Sequence, residues 1–314
     1  MPSYSGIWNL AAVYQAVGAG QWTNDNNNAL FAGGTVSGSF TNVIQYITIS
    51  TLSNSTDFGD LLAATANYIA GCGSTTRGLF GGGYGIPGDE LNVIQYVTFA
   101  TPGNSTDFGD LTIRRGYLSA CNSQTRGVWG GGQGTAVTNR IDYVTIATLG
   151  NAATFGSLTQ TRNSLGSCSS STRGIFAGGI NFTTSYNIID YITIASTGNA
   201  VDFGDLTVAR SDLSSASNST TGLFLGGGGG NVIDYITIAS TGNAIDFGDL
   251  PATANGTAAV SNKTRIVVGG ASNALYYVTI SSAGNAVTFG NLTAQSGSMQ
   301  GTLGASCGTN GGVQ

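Results

Sequence analysis

Histidine is absent from this chain of 314 residues, lysine occurs once, at Lys263, and glutamate once, at Glu90. Charged residues are only 8% of the sequence, about a third of the usual share. Each scarcity narrows the functions open to the chain. Without histidine, general acid–base catalysis has only carboxylates to draw on, and zinc loses a common nitrogen ligand. Four cysteines are present but no CxxC pair, so neither a metal nor another cofactor is expected. Nine scattered arginines against a net charge of −5 make no basic stripe, which removes nucleic acid as an expected partner. No apolar run approaches the ~20 residues that span a bilayer, so no membrane partner is expected. The opening residues MPSYSGIWNLAAVYQAVGAG lack a basic region and do not read as a secretory signal.

What is abundant is glycine, 50 residues of it, beside a 41% hydrophobic share that can build a core. With no strict three-residue period, this glycine points to tight turns and not to collagen. The chain also repeats itself. IIDYITIASTGNAVDFGDL, 188–206, returns at 232–250 as VIDYITIASTGNAIDFGDL, changed only by two Ile/Val exchanges. The tyrosine of that phrase recurs at Tyr46, Tyr96, Tyr143, Tyr191, Tyr235 and Tyr277, spaced 50, 47, 48, 44 and 42 residues apart. A Phe-Gly pair follows each tyrosine, starting at Phe58, Phe108, Phe155, Phe203, Phe247 and Phe289, and two or more glycines precede each. There are six copies.

Each copy divides into four short strand-like pieces separated by turn residues. In the third they are YLSAC (117–121), RGVWGGG (126–132), IDYVTIA (141–147) and TFGSL (154–158). Four strands every 42–50 residues is the signature of a β-propeller blade. The third piece is apolar on both faces, as a sheet covered by a neighbour on each side requires. The first piece is built from small residues, which suits strands that crowd toward an axis. The chain closes with a lone first piece, TLGASCGTN (302–310), and the first copy begins at a second piece, NALFAGG (28–34). Together they predict an all-β, six-bladed propeller of four-stranded antiparallel blades over 28–314, closed by the C-terminal strand, with an arm at 1–27.

The order Arg, strand, double glycine, tyrosine-centred strand and aromatic resembles the kelch-type propeller repeat across residues 28–310. The arginine stands at Arg115, Arg162 and Arg210 and is replaced by Ala254 in the fifth connection. The phrases IDYITIASTGNAxDFGDLTVAR and SSSTRGIFAGG resemble kelch-like repeats of proteins encoded by marine tailed bacteriophages, notably cyanophages. SGIWNLAAVYQAVGAGQW (5–22) resembles the short leader of such virion proteins. The resemblance implies a structural protein of a virion, assembled in the host cytoplasm: a tail or appendage component mediating host-surface attachment, or a capsid or neck decoration protein.

Candidate chemistry divides into repeated and unrepeated residues. DFGD occurs four times, at 57–60, 107–110, 202–205 and 246–249. A motif recurring around a ring reads as architecture, with its Phe between blades and its Asp capping turns or meeting an arginine; no other kinase signature accompanies it. Cys72, Cys121, Cys168 and Cys307 fall in one slot of the first strand, where other copies carry Ala216 and Val260; they read as buried free thiols. The unrepeated acids are Asp25, Asp89, Glu90 and Asp212, too few to favour glycoside hydrolysis, though a free lectin or glycan-active enzyme is the competing class. The connections between second and third strands vary, including YGIPGDELN (84–92), QGTAVTNR (133–140) and INFTTSYN (180–187). A rigid scaffold carries function on such loops, making Tyr84, Asp89, Glu90, Arg140, Phe182 and Tyr186 candidates for host glycan or protein contact. In the arm, Trp8, Leu10, Tyr14, Val17 and Trp22 are candidate anchors on other virion proteins.

Overall fold

The computed structural model describes residues 27–36, 39–62, 67–85, 88–269, 272–293 and 304–307. Among them there is no helix; six four-stranded antiparallel sheets form the blades of a propeller. In blade 3 the strands are, from axis to rim, Ser119–Asn122, Arg126–Gly130, Arg140–Thr145 and Ala153–Ser157. Blade 2 (70–110), blade 4 (166–205), blade 5 (214–249) and blade 6 (258–291) follow the same order. In blade 1, Gly304–Cys307 pairs antiparallel with Asn28–Ala32, and Val43–Thr48 and Thr56–Asp60 complete the sheet.

The core lies between blades. The second strand has no exposed face: Phe80, Trp129, Phe176 and Phe224 pack into the preceding blade, whereas Leu79, Val128, Ile175 and Leu223 belong to the layer shared with the next. Six such layers exist, and one unites Val267, Leu275 and Phe289 of blade 6 with Ala29, Phe31 and Ile47 of blade 1. This explains the run of apolar residues without alternation, since a strand buried on both faces needs none.

Two hydrogen-bond systems run around the ring. Near the axis the innermost strands of blades 3 to 6 each donate a side chain to the backbone of the preceding one: Asn122 Nδ2 to Gly73 O, Ser169 Oγ to Asn122 O at 2.8 Å, Ser217 Oγ to Ser169 O and Ser261 Oγ to Ser217 O, both at 2.7 Å. At the rim, the Gly-Asn-Ala segment of one blade caps the outer strand of the blade before it. Gly198 N donates to Phe155 O, Ala200 N to Ser157 O, and Ser157 N to Asn199 Oδ1. An outer strand would otherwise present unpaired backbone groups to solvent.

Pairing changes one sequence expectation. Cys72, Cys121 and Cys168 stand opposite Leu79, Val128 and Ile175, but it is Ser306 that stands opposite the equivalent Leu30. Cys307 is one register position away, opposite Ala29. The offset is already written in the sequence, since Cys121 and Cys168 lie three residues after Leu118 and Leu165 whereas Cys307 lies four after Leu303.

Candidate functional site

The repeated polar residues are engaged within the scaffold. In DFGD the Phe is buried against the blade's own tyrosine, ring edge to ring face, as in Tyr191–Phe203 at 6.1 Å. The glycine permits backbone contact: a Cβ on Gly204 would lie 2.4 Å from Gly242 O, and its φ of +146° disfavours any side chain. The arginines do not meet these aspartates. They meet the Asp of the tyrosine strand: Arg115–Asp142 at 3.0 Å, Arg162–Asp190 at 2.9 Å and Arg210–Asp234 at 2.8 Å, all buried. Burial holds the Arg115 guanidinium down at about 10 despite the carboxylate beside it. A second arginine set, Arg77, Arg126, Arg173 and Arg265, lies over Tyr96, Tyr143, Tyr191 and Tyr277 at 4.7–4.9 Å. Each also donates to a backbone carbonyl of the following blade, as Arg126 does to Ile194 O at 2.9 Å. Cys72, Cys121 and Cys168 are buried free thiols; burial raises all three, Cys168 to about 12.

The unrepeated residues gather elsewhere. The strand-two-to-three connections and the links between blades share one face, stitched by bridges such as Asn67 with Tyr84, Gly116 with Gln133 and Asn163 with Ile180. Where each link turns into the innermost strand, the backbone is left-handed: Tyr68 (φ 55°), Tyr117 (φ 54°), Ser164 (φ 54°), Asp212 (φ 57°) and Gly256 (φ 63°). These five are chained around the axis, Tyr117 N to Tyr68 O, Ser164 N to Tyr117 O, Asp212 N to Ser164 O and Gly256 N to Asp212 O. They rim the mouth of an axial cavity of about 80 Å³, walled by the innermost strands. The left-handed conformation costs a residue with a Cβ about 1 kcal/mol or more, and glycine nothing comparable. A chain with 50 glycines nevertheless holds Tyr, Tyr, Ser and Asp here.

Tyr68 and Tyr117 stack with centroids 3.7 Å apart, and Tyr84 stands edge-on to both, at 6.0 and 5.5 Å. Desolvation, then a hydrogen bond with Tyr68, pushes the Tyr117 phenol far above its ordinary value; Asp212 adds to the shift. Burial, with Glu90 nearby, raises Tyr84. The mouth is thus aromatic on the side of blades 2 and 3, with Glu90 beside Tyr84 and Asp212 across the rim. Such a surface can stack on a flat apolar face and accept hydrogen bonds from hydroxyls.

Of the loop residues expected from sequence, Tyr84 and Glu90 belong to this mouth, and Asp89 is exposed in the same loop. Phe182 is 77% exposed at the tip of a small hairpin, and Tyr186 lies half-buried at its base. Arg140 is turned to the sheet: it pairs with Asp142 at 3.1 Å and donates to Thr112 and Thr154 hydroxyls at 2.6 Å. Trp8, Leu10, Tyr14, Val17 and Trp22 lie outside the described residues. Tyr68 and Tyr117 were not singled out from sequence. Their signal was local: both stand at the boundary of a link, and Tyr117 reads as the start of a strand that begins only at Ser119.

Among the described residues no three His, Cys, Asp or Glu side chains are placed to hold a metal ion, and no helix is long and apolar enough to cross a membrane. Fold and site together define a six-bladed β-propeller with an aromatic, acidic axial mouth. No protein-family model matches the chain, and no curated protein matches it.

Proposed function

We propose that this protein is a non-enzymatic structural component of a tailed-phage virion, a kelch-like propeller whose ring is clasped by Gly304–Cys307. Its arm docks on other virion proteins through Trp8, Leu10, Tyr14, Val17 and Trp22, and its loop face points outward as part of a tail or appendage that attaches to the host surface. One observation carries the binding part of this reading. Repeated polar residues are spent on joining blades, whereas Tyr68, Tyr117, Ser164 and Asp212 keep side chains at left-handed positions of a single face. Strain of that kind persists where a function retains it. The resemblance of the repeat and leader phrases to cyanophage proteins supplies the particle. The hydroxyl-rich loops, which carry few charges, suit a glycan or protein surface.

Mass spectrometry of purified particles, with full-length protein and with a version lacking residues 1–24, tests the placement. The full chain is expected on the particle at a few copies relative to the major capsid protein, and the shortened, still folded chain is expected to be lost. Many copies would move the protein to a decoration role, and absence of both forms would end the virion reading.

A further inference from the structure

Blades 3, 4 and 5 fill the space between their second strand, third strand and incoming link with an arginine side chain. Arg162 shows how: its guanidinium donates to Phe176 O, Gly178 O and Ile188 O and meets Asp190. Blade 6 has the same space without that occupant. Ala254 stands in the arginine position and Tyr276 in the aspartate position, opposite Val268 as Asp190 is opposite Phe176. Thr257 replaces the leucine found at Leu118, Leu165 and Leu213. What remains is a cavity of about 110 Å³ between the link and the third strand.

Its chemistry is mixed but uncharged. Leu250, Val268 and Ala254 make apolar walls, and Thr257, Ser272 and Tyr276 bring hydroxyls. Thr257 Oγ1 already gives its proton to Ser214 Oγ at 3.0 Å, so a ligand group that reaches it meets an acceptor. Ser272 Oγ accepts from Ala274 N at 3.1 Å, which leaves its own proton to give. A cation would enter without the carboxylate that balances each buried arginine elsewhere, and would bear its desolvation alone. A purely apolar group would strand the hydroxyls. The group that satisfies both is small and neutral, with a methyl for the walls, one N–H donor and one C=O acceptor.

We propose that this vacated arginine slot in blade 6 binds the acetamido group of an N-acetylated amino sugar. The proposal rests on the reading of the loop face as the binding face, and is independent of where the protein sits on a particle. Its volume agrees: about 110 Å³ is room for several waters and admits an acetamido group. Pockets of this kind, apolar with a few placed polar groups, are where small ligands are held.

Saturation-transfer NMR with the intact protein tests it, using methyl N-acetylglucosaminide, methyl glucoside and methylguanidinium as probes. The N-acetyl sugar is expected to bind saturably with its acetyl methyl most strongly labelled, and the other two are expected not to bind. Ala254→Arg with Tyr276→Asp rewrites the slot as blade 5 has it and is expected to weaken binding ~10-fold or more, about 1.4 kcal/mol. Ala254→Leu fills the slot without charge and serves if the double variant fails to fold. Leu149→Thr, on an exposed hairpin of the opposite face and the residue blade 4 carries as Thr197, is expected to leave this binding unchanged, and Tyr117→Ser separates the slot from the axial mouth. Methylguanidinium binding in place of the sugar would overturn the proposal, as would sugar binding that survives both filled variants. If Tyr117→Ser alone abolishes it, the ligand sits in the mouth, so the slot is wrong and the face is right. If no probe binds while the full chain still adheres to host cells, the slot again fails alone.

Discussion

Replacing Asp190 with alanine is expected to be among the most damaging single changes in the ring. The Asp190 carboxylate is fully buried, 2.9 Å from Arg162. It also accepts from Thr159 N at 3.0 Å and from the Thr159 hydroxyl at 2.7 Å. Without it, the Arg162 guanidinium keeps three backbone carbonyls but no counter-charge, and Thr159 loses both acceptors. Removing one member of a buried pair costs about 3–5 kcal/mol, whereas exchanging both for neutral groups of similar volume costs little or nothing. The chain itself makes that exchange: Gln45 and Gln95 stand where Asp190 does, and Gln95 Oε1 accepts from Leu62 N at 2.7 Å and from the Ser105 hydroxyl at 2.7 Å. Arg162→Met with Asp190→Gln is therefore expected to cost less than about 2 kcal/mol. With a urea slope of about 3 kcal/mol/M, Asp190→Ala lowers the unfolding midpoint by about 1 M or more and the double variant by less than about 0.7 M. Urea unfolding followed by tryptophan fluorescence, with Trp129 buried between blades 2 and 3, reads both. A double variant as unstable as Asp190→Ala would refute the account, because its cost would then be lost packing and not an unbalanced charge.

Gly204→Ala forces a Cβ to 2.4 Å from a backbone oxygen, and a thermal melt is expected to show a loss of several kcal/mol, about 3 or more, by the scale of strained glycine sites and overpacking. Asp212→Gly writes blade 6's own Gly256 into blade 5 and relieves a left-handed side chain; stability measured by urea is expected to stay level or rise by up to about 1 kcal/mol, with weaker host adhesion. The thiols predict an alkaline limit. Their pKa values are raised in the folded state, so their contribution is complete below the ordinary thiol value of 9.0 and is lost as pH rises toward about 12, the folded value of Cys168. Stability against pH should fall over that window, and less steeply in Cys168→Ala, the residue blade 5 carries as Ala216; an unchanged slope would remove Cys168 from the cause. At neutral pH, a thiol reagent should label Cys72, Cys121 and Cys168 only after unfolding.

Much of the blade architecture was legible because the repeat forces the same physics six times. Tyrosine, Phe-Gly and double glycine mark the third strand, the fourth strand and the turn after the second, and the structure puts strands at those places. The partner of each link arginine was misassigned, since the DFGD aspartate was the candidate and the aspartate of the tyrosine strand is the partner, yet the sequence holds the signal in pairs of positions. Arg115, Arg162 and Arg210 accompany Asp142, Asp190 and Asp234, whereas Ala254 accompanies Tyr276 and Ala66 precedes Asn67 in the copy that carries Gln95. A buried charge appears only with its opposite, which is what low-dielectric burial demands. The axial mouth was not legible. Whether Tyr117 is a strand residue or a left-handed turn residue depends on how the link approaches the innermost strand, and that is fixed by backbone bonds to Tyr68 and Ser164 in adjacent blades. Arg140 was misleading for a related reason: it ends a variable connection in sequence but opens a strand, Arg140–Thr145, in the sheet.

A ring of near-identical blades offers an internal standard that a single-copy fold lacks. At each position the other copies show what stacking alone requires, so a departure either reflects relaxed packing or is held by something outside the scaffold. The two can be separated by cost. Thr221 in place of the second arginine set loses one cation–π contact and strains nothing. Tyr117 and Asp212 are different, because Gly256 shows that the scaffold accepts glycine there at no penalty. Retaining a β-carbon in a left-handed turn, and burying half a phenol against another to do it, works against stability at a position where the cheaper residue is everywhere else in the sequence. Blade 6 departs in the opposite sense, by giving up an arginine, an aspartate and a leucine together and leaving the space open. Costs borne at the mouth and packing forgone at the slot both fall on the loop face, and among the described residues none of the non-glycine left-handed positions lies on the opposite face, where the arginine–tyrosine stacks sit. That asymmetry in a sixfold scaffold is the physical argument for placing recognition on the loop face.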